Sequence, residues 1–377
     1  MNKIIVVSLW LFILCGSVFS QKANEYFEQA NVLFEKGDYA NAISKYSLAI
    51  ALDPNSFEAI RMRGMARFKV KNYAGAVQDF ERLTSIRPES PEAYFELGFI
   101  RMKTGSSDAA TVAFSRAIQI DPKLAKAYFY RGVISGYNLD AVGELADYNK
   151  AIELDPKNGL YVYTRGVYRR TKGDRDGAFA DYTTAISLDP TLPDAYIARA
   201  REFEFKKNIS AAIQDYSKYI ELQPLDPQSY RSRASLYCET KQFTAAIADY
   251  SKVLDLDPTS FGIYADRGDA RRLNGDLDLA MTDYNVAAQI NSIPAKVYGG
   301  VGEIQLLRKM YENAVLSFSK AIEIDPFESA YYRGRADAYR YLEKNNEAKK
   351  DEKKANEIEK RIPSSFVRSS NSMGPTN

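Results

Sequence analysis

The sequence predicts an all-α protein, a solenoid of stacked antiparallel helix pairs, and three recurrences carry that expectation. Pro stands at 54, 88, 122, 156, 190, 224, 258 and 326, a 34-residue spacing with one double step where Ser292 takes the Pro place. Ten residues after each such place comes a small residue: Gly64, Gly98, Gly132, Gly166, Ala200, Ala234, Gly268, Gly302 and Ala336, with Ala30 opening the series. Ala at 42, 76, 110, 178, 212, 246, 280, 314 and 348 is followed four residues later by an aromatic in every repeat but the last, where Glu352 stands.

Each element of a repeat has its own reason. The first helix carries the small residue, with a large residue four positions before it, as in Tyr94 and Gly98. Gly in a helix interior costs about 1 kcal/mol against Ala, so its recurrence at one place implies close packing there. Gly37-Asp38, Lys71-Asn72, Gly173-Asp174 and Gly275-Asp276 then supply a turn. In the second helix the Ala, the aromatic and an Ile or Leu pair follow at spacings of three and four, which puts them on one face. Asp-Pro should end that helix and open the next, since Pro is tolerated in a first turn and not in an interior. One hairpin cannot bury both faces, whereas a stack of them can.

Tandem 34-residue hairpins with Tyr, Gly or Ala, then Ala, an aromatic and Pro resemble the tetratricopeptide repeat, over residues 22–361 and about ten copies. The resemblance implies a right-handed superhelix whose concave surface is lined by first helices, and a role in binding proteins or peptides. Fold alone does not name a partner. The Lys and Asn clamp with which some repeats of this family hold acidic C-termini is not carried over, because Phe27 precedes Asn31, and Met62 and Glu58 spoil the next repeat. The final hairpin is charged around most of its circumference, as a capping helix should be, and residues 362–377 read as a flexible tail.

The N-terminus reads as a signal peptide over residues 1–20, with Lys3 as its basic region, an apolar stretch from Ile4 to Cys15, and Val18-Phe19-Ser20 as the cleavage site. Leu14 before Cys15 argues against a lipoprotein signal, and an uncleaved membrane anchor is the alternative. The expected location is therefore periplasmic or secreted. C-terminal "GPTN" is no retention signal.

Composition narrows the chemistry. Lys and Arg total 51 against 49 Asp and Glu, so no global field draws in nucleic acid. The chain holds no His, the commonest general base and metal ligand, and its only Cys residues are Cys15 and Cys238. No catalytic, cofactor or metal site is expected, and the protein is read as a non-enzymatic adaptor.

Two patterns mark candidate sites. Arg63, Arg131, Arg165, Arg199, Arg233, Arg267 and Arg335 precede the small residue; Asp79, Asp147, Asp181, Asp215, Asp249, Asp283 and Asp351 precede the second-helix aromatic. Repeats without the Arg have Gln29, Leu97 and Val301, and at the Asp place Lys45, Ala113 and Ser317. The two places change together, which predicts an ion pair inside each hairpin, of the exposed kind worth roughly 0–1 kcal/mol.

The second pattern is the row one step past the seam. If Tyr94, Gly98 and Arg101 face their own second helix, Phe95, Phe99 and Met102 form the adjacent stripe, continued by Phe129, Val133 and then Tyr163 and Val167, with Tyr137 and Arg170 at its margins. These residues are the expected partner-binding groove, with inter-repeat packing as the alternative. In later repeats the same places hold Arg231 and Ser235, Ala265 and Asp269, Gly299 and Glu303, and Arg333 and Asp337, so the row turns from apolar to polar. Gly132, Gly136 and Gly143 with Glu144, and Gly299, Gly300 and Gly302, break the local rules and suggest close approach of a neighbour or ligand. Asn208-Ile209-Ser210 is a glycosylation acceptor pattern. The expected partner is a protein or peptide; a carbohydrate or cell-envelope polymer stacked on Tyr rings is the alternative.

Overall fold

The turns between paired helices explain the hairpins. Gly37, Gly105, Gly173 and Gly275 take positive φ, and so do Lys71, Lys207, Lys241, Lys309 and Glu343 at the equivalent places. One left-handed residue ends the first helix and lets the chain reverse; at Gly37 the next amide, Asp38 N, donates back to Leu33 O at 2.9 Å. The residue after it starts the second helix: the Asp174 carboxylate accepts from Gly177 N at 2.9 Å and the Asn72 amide oxygen from Gly75 N at 3.1 Å.

The computed structural model describes residues 2–137, 141–289 and 295–361, with the side chains of 2–18, 137, 141, 142 and 361 outside that description. It is all-helical there, with two compact units, Met1–Leu192 and Pro193–Asn377. In the first, α1 (Asn2–Glu35) pairs with α2 (Tyr39–Leu52), α3 (Phe57–Lys69) with α4 (Tyr73–Ile86), α5 (Pro91–Lys103) with α6 (Ser107–Ile120), α7 (Ala125–Tyr137) with α8 (Ala141–Leu154) and α9 (Gly159–Thr171) with α10 (Arg175–Leu188). In the second, the pairs are α11 (Pro193–Phe205) and α12 (Ile209–Leu222), α13 (Pro227–Glu239) and α14 (Phe243–Leu256), α15 (Phe261–Asn274) and α16 (Leu277–Ala287), α17 (Ala295–Leu307) and α18 (Tyr311–Ile324), α19 (Ser329–Tyr341) and α20 (Asn345–Arg361). Each unit is a tetratricopeptide-like stack of hairpins.

The Asp-Pro signal works differently from the expectation. Pro54 lies in a turn between helices, not in the first turn of α3: Ser56 N donates to Asp53 O at 3.1 Å, and Asp53 Oδ1 accepts from Asn55 N at 3.2 Å. Asp at the first and Pro at the second position of such a turn is what its dihedrals favour. Prolines that do sit at a helix start are Pro91, Pro193 and Pro227.

In every hairpin but the last, the aromatic of the second helix is the centre. Tyr46, Phe80, Phe114, Tyr182, Tyr284 and Phe318 are fully buried, each worth about 1.5–3 kcal/mol of apolar burial. Their rings lie against the small residue of the first helix, so that a Cβ at Gly98 would come within 2.8 Å of the Phe114 ring. Buried Tyr hydroxyls then find first-helix partners: Tyr46 donates to Asn31 Oδ1 at 2.7 Å, Tyr216 to Glu204 at 2.5 Å and Tyr284 to Asp269 at 2.5 Å.

Helix α1 runs unbroken through the expected cleavage point after Ser20. Among the described residues no helix is long and apolar enough to cross a membrane. The expected tail, 362–377, lies outside the described residues.

Candidate functional site

All seven Arg and Asp partners meet inside their own hairpins. Both guanidinium edges engage: Arg131 Nε and Nη2 each lie 2.8 Å from an Asp147 oxygen, and Arg233 repeats this on Asp249 at 2.8 Å twice. Closest approaches in the other pairs run from 2.6 Å for Arg63 and Asp79 to 2.8 Å for Arg199 and Asp215. These pairs are not exposed as expected, because each Asp is buried. Removing one partner therefore strands a buried charge, and the surface-pair magnitude does not apply.

The third guanidinium nitrogen carries information the sequence reading missed. Arg63 Nη1 donates to Ser47 at 3.2 Å, Arg131 to Ser115 at 3.1 Å, Arg165 to Asn149 at 2.9 Å, Arg267 to Ser251 at 3.0 Å and Arg335 to Ser319 at 2.9 Å. Each acceptor belongs to the preceding hairpin. The signal was present, a Ser or Asn sixteen residues before the Arg, but Ser on a helix reads as ordinary surface.

Where the pair is missing, other contacts stand in. Lys45 Nζ donates to Gln29 Oε1 at 2.8 Å in the first repeat. Leu97 and Ala113 share one apolar cluster, and Val301 packs against another that includes Tyr284, Ala287 and Val297.

Tyr94, Gly98 and Arg101 do face their own second helix: Arg116 sits over the Tyr94 ring, Gly98 meets Phe114, and Arg101 donates to Ala109 O at 3.3 Å. The adjacent row divides. Phe95 and Phe99 are half-buried, 6.4 Å apart in stacked orientation, with Tyr130 of the next hairpin 5.7 and 5.4 Å from them. Lys126 lies over Phe95 at 4.3 Å and Lys103 over Phe99 at 5.4 Å. Met102, Val133, Tyr163 and Val167 are also half-buried, and Arg170 is exposed.

Phe129 departs from that row: it is 5% exposed and stacks on Tyr161 at 4.6 Å. It belongs to inter-repeat packing and not to an open groove. The cause is Tyr161, which stands where the preceding repeats have Ala59, Ala93 and Ala127 and fills the space beside Phe129. The side chain of Tyr137 lies outside the described residues.

The same substitution explains the glycine-rich ninth repeat. Tyr331 occupies the Tyr161 place, and a Cβ at Gly299, the Phe129 place, would come within 2.5 Å of its ring. Gly300 makes room for the Tyr284 hydroxyl and Gly302 for the Phe318 ring. In the fourth repeat a Cβ at Gly136 would come within 2.7 Å of the Glu144 carboxylate, which in turn accepts from Tyr148 at 3.3 Å. The close approach was legible; the visitors are neighbouring side chains.

In the second unit the row is charged. Asp266 pairs with Lys296 and lies 3.9 Å from Arg231, while Arg272 pairs with Glu303. Burial raises the Asp269 carboxyl above the ordinary range, with the Tyr284 hydrogen bond and the Lys296 and Arg272 charges opposing it. Burial likewise raises Glu303 against the pull of Arg272. Arg333 pairs with Glu359 at 2.7 Å, and Asp337 with Arg340. This face can hold charged or hydrogen-bonding groups, where the first unit offers aromatic and aliphatic ones.

Hairpins of this length, packed small residue against aromatic, define a class of helical repeat protein. Models described as TPR repeat match residues 30–70, and models described as tetratricopeptide repeat match residues 61–125, 197–261 and 295–328. The chain belongs to the tetratricopeptide-repeat family. No curated protein matches the sequence. Among solved structures, the C-terminal part of a TPR repeat-containing protein from Cytophaga hutchinsonii is 21% identical, with 63% of this chain and 97% of that one covered at a TM-score of 0.49. A tetratricopeptide repeat protein from Parabacteroides merdae is 20% identical, covering 66% and 98% at a TM-score of 0.42. MamA from Desulfovibrio magneticus is 21% identical, covering 45% and 97% at 0.41. At these identities the likeness is one of fold.

Proposed function

We propose that the chain is a non-enzymatic scaffold that holds a protein or peptide partner along the row beside the hairpin seam, and that it acts outside the cytoplasm. One observation supports this reading above others. The seam repeats its Ala, aromatic and Arg–Asp positions almost without change, while the row one residue past the small position varies through Phe99, Val133, Val167, Arg201, Ser235, Asp269, Glu303 and Asp337. Packing keeps the first set fixed, and the second set is free to encode a partner. Family membership supports the same class of function. Export rests on the apolar N-terminal stretch and the small residues that follow it.

A photo-crosslinker at Val167 should capture a specific partner from envelope or secreted fractions, while the same group at exposed Leu160 should not. Phe99→Ser should weaken that capture with the fold intact. Phe129→Ser is not a test of binding, since it removes a packed ring. Retention of glycans in place of protein would favour the carbohydrate reading.

A further inference from the structure

Repeats three and nine lack the Arg–Asp pair, and each has an open cleft on the seam where the pair sits elsewhere. The α5–α6 cleft is about 430 Å³ and includes Tyr94, Leu97, Arg101, Val112 and Arg116 in its walls. The cleft at α17–α18 is about 190 Å³ and includes Tyr298, Val301, Leu316, Ser317 and Lys320. Four of these positions correspond across six repeats: Tyr94 with Tyr298, Leu97 with Val301, Val112 with Leu316, and Arg116 with Lys320. In both, the cation lies over the tyrosine ring, at 5.8 and 5.5 Å.

Val112 and Leu316 are 67% and 64% exposed. The other repeats have Ser44, Gln78, Ala146, Ala180, Gln214, Ala248, Thr282 and Lys350 there; the first repeat also lacks the pair but carries Ser44, so the large exposed aliphatic is confined to repeats three and nine. The last repeat also has an open seam, but Lys350 replaces the aliphatic and Asp351 and Glu357 lie in its walls. No Asp or Glu lines either of the other two clefts. Arg67, Arg169 and Arg271 hold the seam Asp of their repeats at 2.9, 3.0 and 2.8 Å. Their counterpart Arg101 keeps its bond to Ala109 O but, with Ala113 in the Asp place, pairs instead with half-exposed Glu81 at 2.7 Å, and Arg116 lies 3.6 Å from exposed Glu89.

We infer that these two clefts are matched binding sites for a partner peptide that presents an aliphatic side chain next to a carboxylate. The aliphatic group fills the apolar wall of Leu97 and Val112, or of Val301 and Leu316. The carboxylate supplies from outside the negative charge that the missing Asp supplies elsewhere, meeting Arg101 and Arg116 in one cleft and Lys320 in the other. Exposed apolar surface, and arginines whose own partners Glu81 and Glu89 are exposed glutamates outside the cleft walls, are both met by one short motif. The clefts lie on the seam and not on the row of Phe99 and Val167, so either assignment can fail without the other.

The test uses the full chain and a labelled acetyl-Gly-Ser-Leu-Glu-Ser-Gly-amide peptide, with fluorescence anisotropy read to saturation. Two sites are expected, with at least tenfold weaker binding when the peptide Leu becomes Ser or its Glu becomes Lys. Leu97→Arg with Ala113→Asp should build the pair seen in seven other repeats, keep or raise the Tm, and remove one site; Val301→Arg with Ser317→Asp should remove the other. Should either repair lower the Tm, Val112→Gln and Leu316→Gln, at exposed positions, carry the same expectation. Equal affinity for all three peptides, or two sites persisting in folded repaired or Gln variants, would overturn the proposal.

Discussion

Arg233 and Asp249, sixteen residues apart, are joined by two parallel hydrogen bonds of 2.8 Å, and Asp249 is 6% exposed. A planar fork on a buried carboxylate has no equivalent with Lys, which offers a point charge. Arg233→Leu is therefore expected to cost about 3–5 kcal/mol by leaving Asp249 buried and unpaired. Adding Asp249→Ala, which recreates the Leu97 and Ala113 arrangement of the third repeat, should restore much of that loss. Chemical denaturation of the two variants checks it; equal stabilities would mean the charge pair is not what holds the seam.

Two glycines should respond to Ala with opposite signs. A Cβ at Gly300 would overlap the Tyr284 hydroxyl and ring, so Gly300→Ala should destabilise by about 1–3 kcal/mol. Gly262 has nothing within 4 Å of a Cβ, and Gly262→Ala should stabilise by about 0.5–1 kcal/mol through helix propensity alone. Thermal melts of both variants decide the matter.

Burial pushes the Cys238 thiol from 9.0 to about 11, with a Tyr250 hydrogen bond working against it. The raised value means the folded state keeps its proton longer than the unfolded one. This thiol consequently leaves stability unchanged below pH 9 and lowers it as pH rises from 9 toward 11. Cys238→Ala should flatten that part of the stability profile, and thiol labelling of the folded protein at pH 8 should be slow and accelerate on unfolding.

Cleavage after Ser20 should leave exported protein that begins at Gln21 and carries one thiol. Intact-mass measurement of that material reads both at once, and retention of residues 1–20 would point to an anchor instead.

The hairpins and their ion pairs were legible because the sequence contains its own comparison set. Leu97 with Ala113 and Gln29 with Lys45 reveal a partnership as a set of relatives would. Phe129 was misplaced for a physical reason: an offset along a helix states direction, but coverage depends on the size of a residue in the next hairpin. Tyr161 in place of Ala buries it. Lys71 and Lys241 show the same limit, because the left-handed turn was legible only where Gly marks it.

The backward reach of these arginines gives the array a direction. Arg131 needs Ser115, which the ribosome has already delivered, and nothing in that contact waits for a later repeat. Each hairpin can therefore complete its guanidinium contacts as soon as its own Asp emerges, with the preceding hairpin as template. Loss of the first repeat would deprive Arg63 of Ser47, whereas loss of the last would leave every earlier arginine with these acceptors intact. For these contacts, truncations from the two ends of the array are not equivalent.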